Sequence, residues 1–190
     1  MVGMDTKTAL LTSAEAAARA HGYDGFSYAD LAAAVGIRKA SIHYHFPTKA
    51  DLALALIERY SDNLFATLDQ IAETNHTGGA RLAACVAAYR DAAGGGKRLC
   101  LCVALCTGRD GLSRSVLAKL DAFHATIASW LGNAFAMGKA DNSIAFVMDC
   151  EVEAHACLAQ MQGAQLIARA AEDIRRFDAA VAGLLQRVRQ

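Results

Sequence analysis

The chain has 190 residues, of which 54% are hydrophobic, and its acidic and basic side chains balance to a formal net charge of zero. This length suits one compact domain or a small domain fused to a larger one, and the neutral balance weighs mildly against a nucleic-acid binder. No apolar run approaches the roughly 20 residues of a membrane span, and the N-terminus lacks a secretory core, so we expect a cytoplasmic protein without membrane contact.

Abundant alanine and a single proline, Pro47, indicate an all-α protein. A first helix is predicted over about 5–20. Ser27, followed three residues later by Asp30, resembles a capping box that starts a second helix, and Gly36 suits the left-handed turn that ends it. A third helix begins near Lys39 and stops before the proline.

Longer helices are predicted in the rest of the chain, where apolar residues recur at helical spacing. Glycine-containing breaks separate them. The predicted helices cover about 49–73, 80–93, 113–136, 142–169 and 171–188, and a short apolar segment covers 97–106.

The third helix has the chemistry of a DNA reader, because no acidic side chain occurs between Asp30 and Asp51. Its polar side chains can reach base edges or phosphates in a major groove. At the start of the next helix, Lys49 and the partial positive charge of the helix N-terminus both attract phosphate. The alternative interpretation is that the third helix is an ordinary polar surface helix after a tight turn, with no role in DNA binding. The predicted DNA contacts here are Arg38, Lys39, Ala40, Ser41, His43, Tyr44, His45 and Lys49.

The segment GIRKASIHYHFPTKADL, residues 36–52, resembles the helix-turn-helix of the TetR family of bacterial repressors, and the similarity extends from about residue 7 to 57. The run YHFPTK, residues 44–49, is its most specific part. His43 departs from the tyrosine usual in that family. The resemblance implies a three-helix DNA-binding domain at residues 1–48 and a larger helical regulatory and dimerisation domain at 49–190.

The resemblance also implies partners and further contacts. It implies a homodimer, a double-stranded DNA operator and an unknown small-molecule effector, and it implies that Ser27 and Tyr28 touch the DNA backbone. Helix-turn-helix readers pair because they bind two half-sites one DNA turn apart.

The last two predicted helices are amphipathic and form a plausible dimer surface, a four-helix bundle with the same helices of a partner. Packing of both helices only within their own subunit is the alternative. The predicted interface residues are Val147, Ala154, Cys157, Met161, Phe177, Val181, Leu184 and Leu185.

Cys100, Cys102 and Cys106 fall within seven residues and allow three interpretations. They are small buried hydrophobes, or a thiol sensor activated by the neighbouring Lys97 and Arg98, or a zinc site completed by a histidine. A cysteine followed by leucine, as at Cys100, resembles the electrophile- or oxidant-responsive subgroup of TetR-like repressors.

Four other side chains on apolar helices are candidates for an effector cavity or ordinary core residues: Tyr89, His124, Trp130 and His155. Neither a catalytic constellation nor a phosphate-binding loop occurs, so we expect no enzyme, no cofactor and no metal. The favoured function is a dimeric repressor released by an effector or by thiol modification. A thiol-dependent redox enzyme, or a ligand-binding module without DNA affinity, is the alternative.

Overall fold

A computed structural model describes residues 5–189, and this part of the chain contains nine α-helices and no β-strand. A single turn of 3₁₀ helix, Arg109–Gly111, precedes the seventh α-helix. The α-helices are α1 (Thr6–His21), α2 (Tyr28–Val35), α3 (Lys39–His45), α4 (Lys49–Thr74), α5 (Gly78–Ala92), α6 (Leu101–Cys106), α7 (Arg114–Ala140), α8 (Cys150–Ala171) and α9 (Arg175–Leu185). The prediction of an all-α fold is confirmed.

The chain forms two compact units that do not follow its order. The first comprises residues 5–62 and 101–121, and the second comprises 63–100 and 122–189. Two long helices, α4 and α7, therefore contribute residues to both units.

The first unit packs α1, α2, α3, the start of α4 and α6 around one apolar core. Leu10 of α1, Ile42 of α3 and Ile57 of α4 are each fully buried. Burial of such aliphatic side chains is the main favourable contribution to holding these short helices together. None of the helices between residues 5 and 189 combines the length and apolar character that crossing a bilayer requires.

The second unit packs α8 against α9 and against α5, and its largest fully buried side chains include Phe135 of α7 and Phe177 of α9. Gln165 is the one fully buried polar side chain described in this unit's core. Its amide donates to the Tyr89 carbonyl at 2.7 Å and its oxygen accepts from the Cys100 amide at 2.9 Å. The side chain thereby ties α8 to the end of α5 and to the segment before α6.

The predicted start of α8 at residue 142 is wrong, because α8 begins at Cys150. Asn142 and Phe146 both have positive φ, 62° and 60°, which helical residues do not adopt. Asp149 then caps α8 by accepting from the amides of Glu151 and Val152. An aspartate before an acidic first turn is the usual start signal, and the hydrophobic periodicity upstream concealed it.

The predicted junction between the last two helices is shifted as well. Glu172 takes the left-handed conformation (φ 48°, ψ 34°) at the end of α8, and α9 begins only at Arg175. Arg187, beyond the end of α9, forms a bidentate ion pair with Glu153 at 2.7 and 2.8 Å. This pair anchors the C-terminal segment to α8.

Candidate nucleic-acid interface

The second helix starts and ends as its sequence predicts. The Ser27 hydroxyl accepts from the Asp30 amide at 3.3 Å, and the Asp30 carboxylate accepts from the Ser27 amide at 2.8 Å, which is a complete capping box. Gly36 is left-handed (φ 74°, ψ 33°) and its amide donates to the Ala32 carbonyl. The chain therefore turns within three residues from α2 into α3.

Internal contacts fix α3 against α2 and α4. Ile42 is fully buried beneath the helix, and Phe46, in extended conformation just before Pro47, is 3% exposed. The phenol of Tyr28 lies 2.9 Å from the Phe46 carbonyl and 2.6 Å from the Thr48 carbonyl, so its hydroxyl donates to this bend. One face of α3 is anchored, and the opposite face is left to solvent.

The start of α4 has a second capping box. The Thr48 hydroxyl accepts from the Asp51 amide at 3.2 Å, and the Asp51 carboxylate accepts from the Thr48 amide at 2.9 Å. This cap places the N-terminus of a 26-residue helix beside α3. The partial positive charge of such an end favours anions.

All ten predicted DNA contacts line one of two grooves beside α3. One groove, of about 290 Å³, contains Ser27, Tyr28, Lys39, His43 and Lys49, and also Phe26, Pro47 and Thr48. The other, of about 550 Å³, contains Arg38, Ala40, Ser41, Tyr44 and His45, and also Thr6 and Ile37. Phe26, Ile37, Pro47 and Thr48 were not predicted as DNA contacts, and no sequence signal pointed to Thr6.

Exposure divides the predicted contacts. Arg38, Lys39, Ala40 and His43 are exposed, and Tyr44 is 84% exposed. Ser41 and His45 are half-buried, and Ser27 is exposed, with its hydroxyl and amide occupied by the cap. The Tyr44 ring is therefore accessible to a partner on the solvent face of α3.

Tyr28 and Lys49, two further predicted contacts, also have polar groups engaged within the protein. Tyr28 is 7% exposed, and burial, followed by the Asp51 carboxylate and Tyr23, raises its pKa to about 12. The Lys49 ammonium donates to the Phe26 carbonyl at 2.6 Å and lies over the Tyr23 and Phe26 rings, and burial lowers its pKa. Tyr28 thus ties the first residue of α2 to the bend before α4, and Lys49 ties the start of α4 to the segment before α2.

The three clustered cysteines differ in accessibility. Cys100 and Cys102 are buried, whereas Cys106 at the end of α6 is exposed. Burial raises the pKa of the Cys157 thiol to about 12, and it raises the pKa of the Cys85 thiol as well. Within residues 5–189 no group of three or more histidine, cysteine or acidic side chains could hold a metal ion, so the zinc interpretation gains no support.

Native alkylation should reflect these differences. We expect iodoacetamide to modify Cys106 first and the half-buried Cys150 next, because a thiol must be accessible and deprotonated to react. The four buried thiols should react only after unfolding. Peptide mass spectrometry at short times measures the order, and rapid labelling of Cys100 in the folded protein would contradict it.

The predicted effector residues differ in their exposure. His155 is exposed and shares a groove of about 470 Å³ with Ser129, Asn133, Cys150 and Glu151. Tyr89 is buried, and both His124 and Trp130 are half-buried. Cys150 and Glu151 were missed as possible ligand contacts, although both directly follow the cap of α8.

Seven of the eight predicted dimer residues are buried within the single chain and cannot add contact area with a partner. They form the inner faces of α8 and α9 and the preceding loop, where the protomer needs them as core. Only Leu185, at 37% exposure, is accessible. The buried seven are Val147, Ala154, Cys157, Met161, Phe177, Val181 and Leu184.

An all-α chain with a capped, glycine-turned helix pair at its N-terminal end has the architecture of a helix-turn-helix regulator. A sequence model of the bacterial regulatory proteins of the TetR family matches residues 10–56. The transcriptional regulator CymR of Pseudomonas putida is 40% identical over 55 residues, which are 29% of this chain and 27% of that regulator. The match thus spans about a quarter of CymR.

Solved structures extend the similarity to the whole fold. A TetR-family regulator from Agrobacterium tumefaciens superposes with a TM-score of 0.92 at 27% identity, over 97% of this chain and 98% of that chain. AibR, in complex with isovaleryl coenzyme A and operator DNA, superposes with a TM-score of 0.72 at 22% identity, over 85% and 86%. Residues 10–56 thus match the TetR family of bacterial regulatory proteins, and the whole chain has the fold of a TetR-family regulator. This is a family of transcription factors, which supports a regulator over a thiol enzyme.

Proposed function

We propose that the chain is a dimeric repressor whose two α3 helices enter successive major grooves of an operator. The observation that carries the proposal is the solvent face of α3. It exposes Arg38, Lys39, His43 and Tyr44, has no acidic side chain, and lies between two grooves. Side chains of this length reach both phosphates and base edges.

Phosphate binding is assigned to the 290 Å³ groove. The N-terminal ends of α2 and α4 converge on it, and Lys39 supplies an exposed cation. Lys49 also lines the groove and adds its positive charge there, while its ammonium donates to the Phe26 carbonyl. The 550 Å³ groove, which Ser41 and Tyr44 line, is assigned to base edges and to the sugar-phosphate backbone of the neighbouring nucleotides.

Dimerisation is assigned to the solvent faces of α8 and α9 instead of their inner faces. No acidic side chain, lysine or arginine occurs over residues 154–168 or 179–186, which is unusual for helices with exposed faces. Val152 and Ile167 are 65% and 55% exposed, and a Cβ on Gly163 or Gly183 would meet nothing within 4 Å. Helices with such small residues can approach a partner pair closely.

Keeping the predicted division, DNA binding is assigned to residues 1–48 together with the start of α4, and release from DNA to the rest of residues 49–190. AibR was crystallised with a coenzyme A ester and operator DNA, so one protein of this fold takes both kinds of ligand. The groove at Asn133 and His155 has a volume in the range of small-molecule sites. If thiol modification triggers release, Cys106 is the accessible thiol.

The test begins with selection of duplexes from a randomised pool, followed by titration of the enriched duplex at several salt concentrations. We expect affinity to fall steeply with salt, because each phosphate that the protein neutralises releases counterions. The double variant Arg38→Ala/Lys39→Ala should bind at least about tenfold more weakly, and its salt slope should be smaller by about one for each phosphate that it no longer neutralises.

Lys97→Ala is the matched control, because Lys97 is an exposed cation in the second unit. It should leave both affinity and slope unchanged. Enrichment of no duplex, or equal effects of the two sets of variants, would contradict the proposed function.

A further inference from the structure

His43 of α3 lines the 290 Å³ groove to which phosphate binding is assigned. Its ring is exposed and packs edge-on against the Tyr28 ring at 4.9 Å. Its Nδ1 lies 3.2 Å from the carbonyl oxygen of Pro47. The ring is therefore held by one hydrogen bond and one ring contact.

That hydrogen bond determines which nitrogen holds the proton. A carbonyl oxygen only accepts, so Nδ1 of His43 must be the donor. In the neutral imidazole the other nitrogen, Nε2, then has a lone pair and no hydrogen. Nε2 makes no hydrogen bond to any residue between 5 and 189, and it is the nitrogen left for DNA.

A neutral Nε2 opposes a phosphate oxygen, because two acceptors cannot share a hydrogen bond. After uptake of one proton, Nε2–H donates to the phosphate while Nδ1–H keeps its bond to Pro47. We propose that operator binding is proton-linked through His43, each protomer taking up one proton as the phosphate enters the groove. This inference rests on the proposed function and specifies how its phosphate contact is regulated.

Charged and titratable groups from three helices surround His43. Lys39 on its own helix and Lys49 on α4 line the same groove, and Tyr28 of α2 is neutral. The two nearby carboxylates, Asp30 and Asp51, are occupied by the caps of α2 and α4. A phosphate bound in the groove places negative charge beside Nε2, and a nearby opposite charge favours the protonated ring in the complex.

Linkage fixes the sign of the effect. Because the bound state holds more protons, affinity must fall as pH rises, by up to about tenfold per pH unit for each proton. Imidazole titrates between about pH 5 and pH 8, so this is the range to measure. Two protomers can give up to about a hundredfold per unit.

The experiment uses the full chain and a duplex that it enriches from a randomised pool at about pH 6, titrated at constant ionic strength up to about pH 8. Wild-type affinity should fall at least about tenfold over this range, and its salt slope should drop by about 1.8 because two fewer phosphates are neutralised. His43→Gln should bind with little dependence on pH, because the glutamine amide can donate a hydrogen bond to the phosphate without taking up a proton. His76→Gln, at an exposed histidine of the second unit, should keep the wild-type dependence.

Each outcome has a distinct meaning. If the wild type binds its duplex equally at about pH 6 and about pH 8, the linkage is overturned and the proposed function stands. The same conclusion follows if His43→Gln keeps the wild-type pH dependence. If His43→Gln does not bind, His43→Tyr decides, because its hydroxyl also donates without a proton: a flat profile supports the linkage and a wild-type profile overturns it. If the wild type enriches no duplex at any pH, both proposals fall.

Discussion

Ala159→Glu is expected to give a folded monomer whose operator affinity is at least about 100-fold weaker than that of the dimer. Ala159 is exposed in the uncharged part of α8, one helical turn before Gly163. In a symmetric interface each glutamate would be desolvated close to the partner's copy, and unpaired buried charge is very costly. Loss of pairing removes binding to the second half-site, and with it the gain in effective concentration.

Sedimentation velocity and titration of the enriched duplex measure the two parts of this prediction. Ala87→Glu is the control, since Ala87 is also an exposed alanine in a helix, in this case α5. The control should remain dimeric and bind normally. An Ala159→Glu protein that stays dimeric would disprove the assigned interface, and one that unfolds would mean that the protomer is not stable alone.

Phe177→Ala is expected to lower the free energy of unfolding of the protomer by about 3–5 kcal/mol. Phe177 is fully buried where α9 packs against its neighbours, so truncation removes apolar packing and also leaves a cavity. The expected loss is a large part of the stability of an ordinary domain. It is the opposite of the role that the sequence predicts for this residue, which is contact with a partner.

Urea denaturation should be measured in the monomeric Ala159→Glu background, so that dissociation does not contribute to the apparent stability. Leu185→Ala is the control on the same helix. It should change protomer stability by less than about 1 kcal/mol, and in the dimeric background it should weaken pairing. If Phe177→Ala weakens pairing and spares the protomer, the inner face of α9 is an interface after all.

The helix-turn-helix could be predicted from sequence because its signals are local. The box of Ser27 with Asp30, the left-handed Gly36 and the extended residue before Pro47 each depend on neighbours within a few positions. Short-range hydrogen bonds and steric limits determine them, whatever the rest of the chain does.

Contacts between residues distant in sequence could not be predicted. Lys49 at a helix start has the pattern of a phosphate ligand, and only folding brings its ammonium to the carbonyl of Phe26, 23 residues away. The irregular segment 141–149, which the sequence did not predict, also depends on contacts between residues distant in sequence. The Ala145 amide donates to the Arg187 carbonyl, and this bond to the C-terminal segment is absent from any local pattern.

The dimer residues illustrate a limit of hydrophobic periodicity. A stripe of large apolar residues shows which face of a helix is buried, and it does not show whether the burial is within one chain or between two. On α9 the large residues Phe177 and Val181 fill the protomer core, whereas the face left over is rich in alanine and glycine. Such a face is nearly neutral on any hydrophobicity scale, so hydrophobic periodicity does not reveal it.

Hydroxyl-radical footprinting of the enriched duplex tests most directly whether two α3 helices read one operator. We expect two protected segments on one face of the duplex, centred about one helical turn apart and related by the symmetry of the dimer. Arg38→Ala/Lys39→Ala should weaken both segments together. A single asymmetric footprint, or protection that survives removal of these two cations, would show that the solvent face of α3 is not the DNA-binding surface.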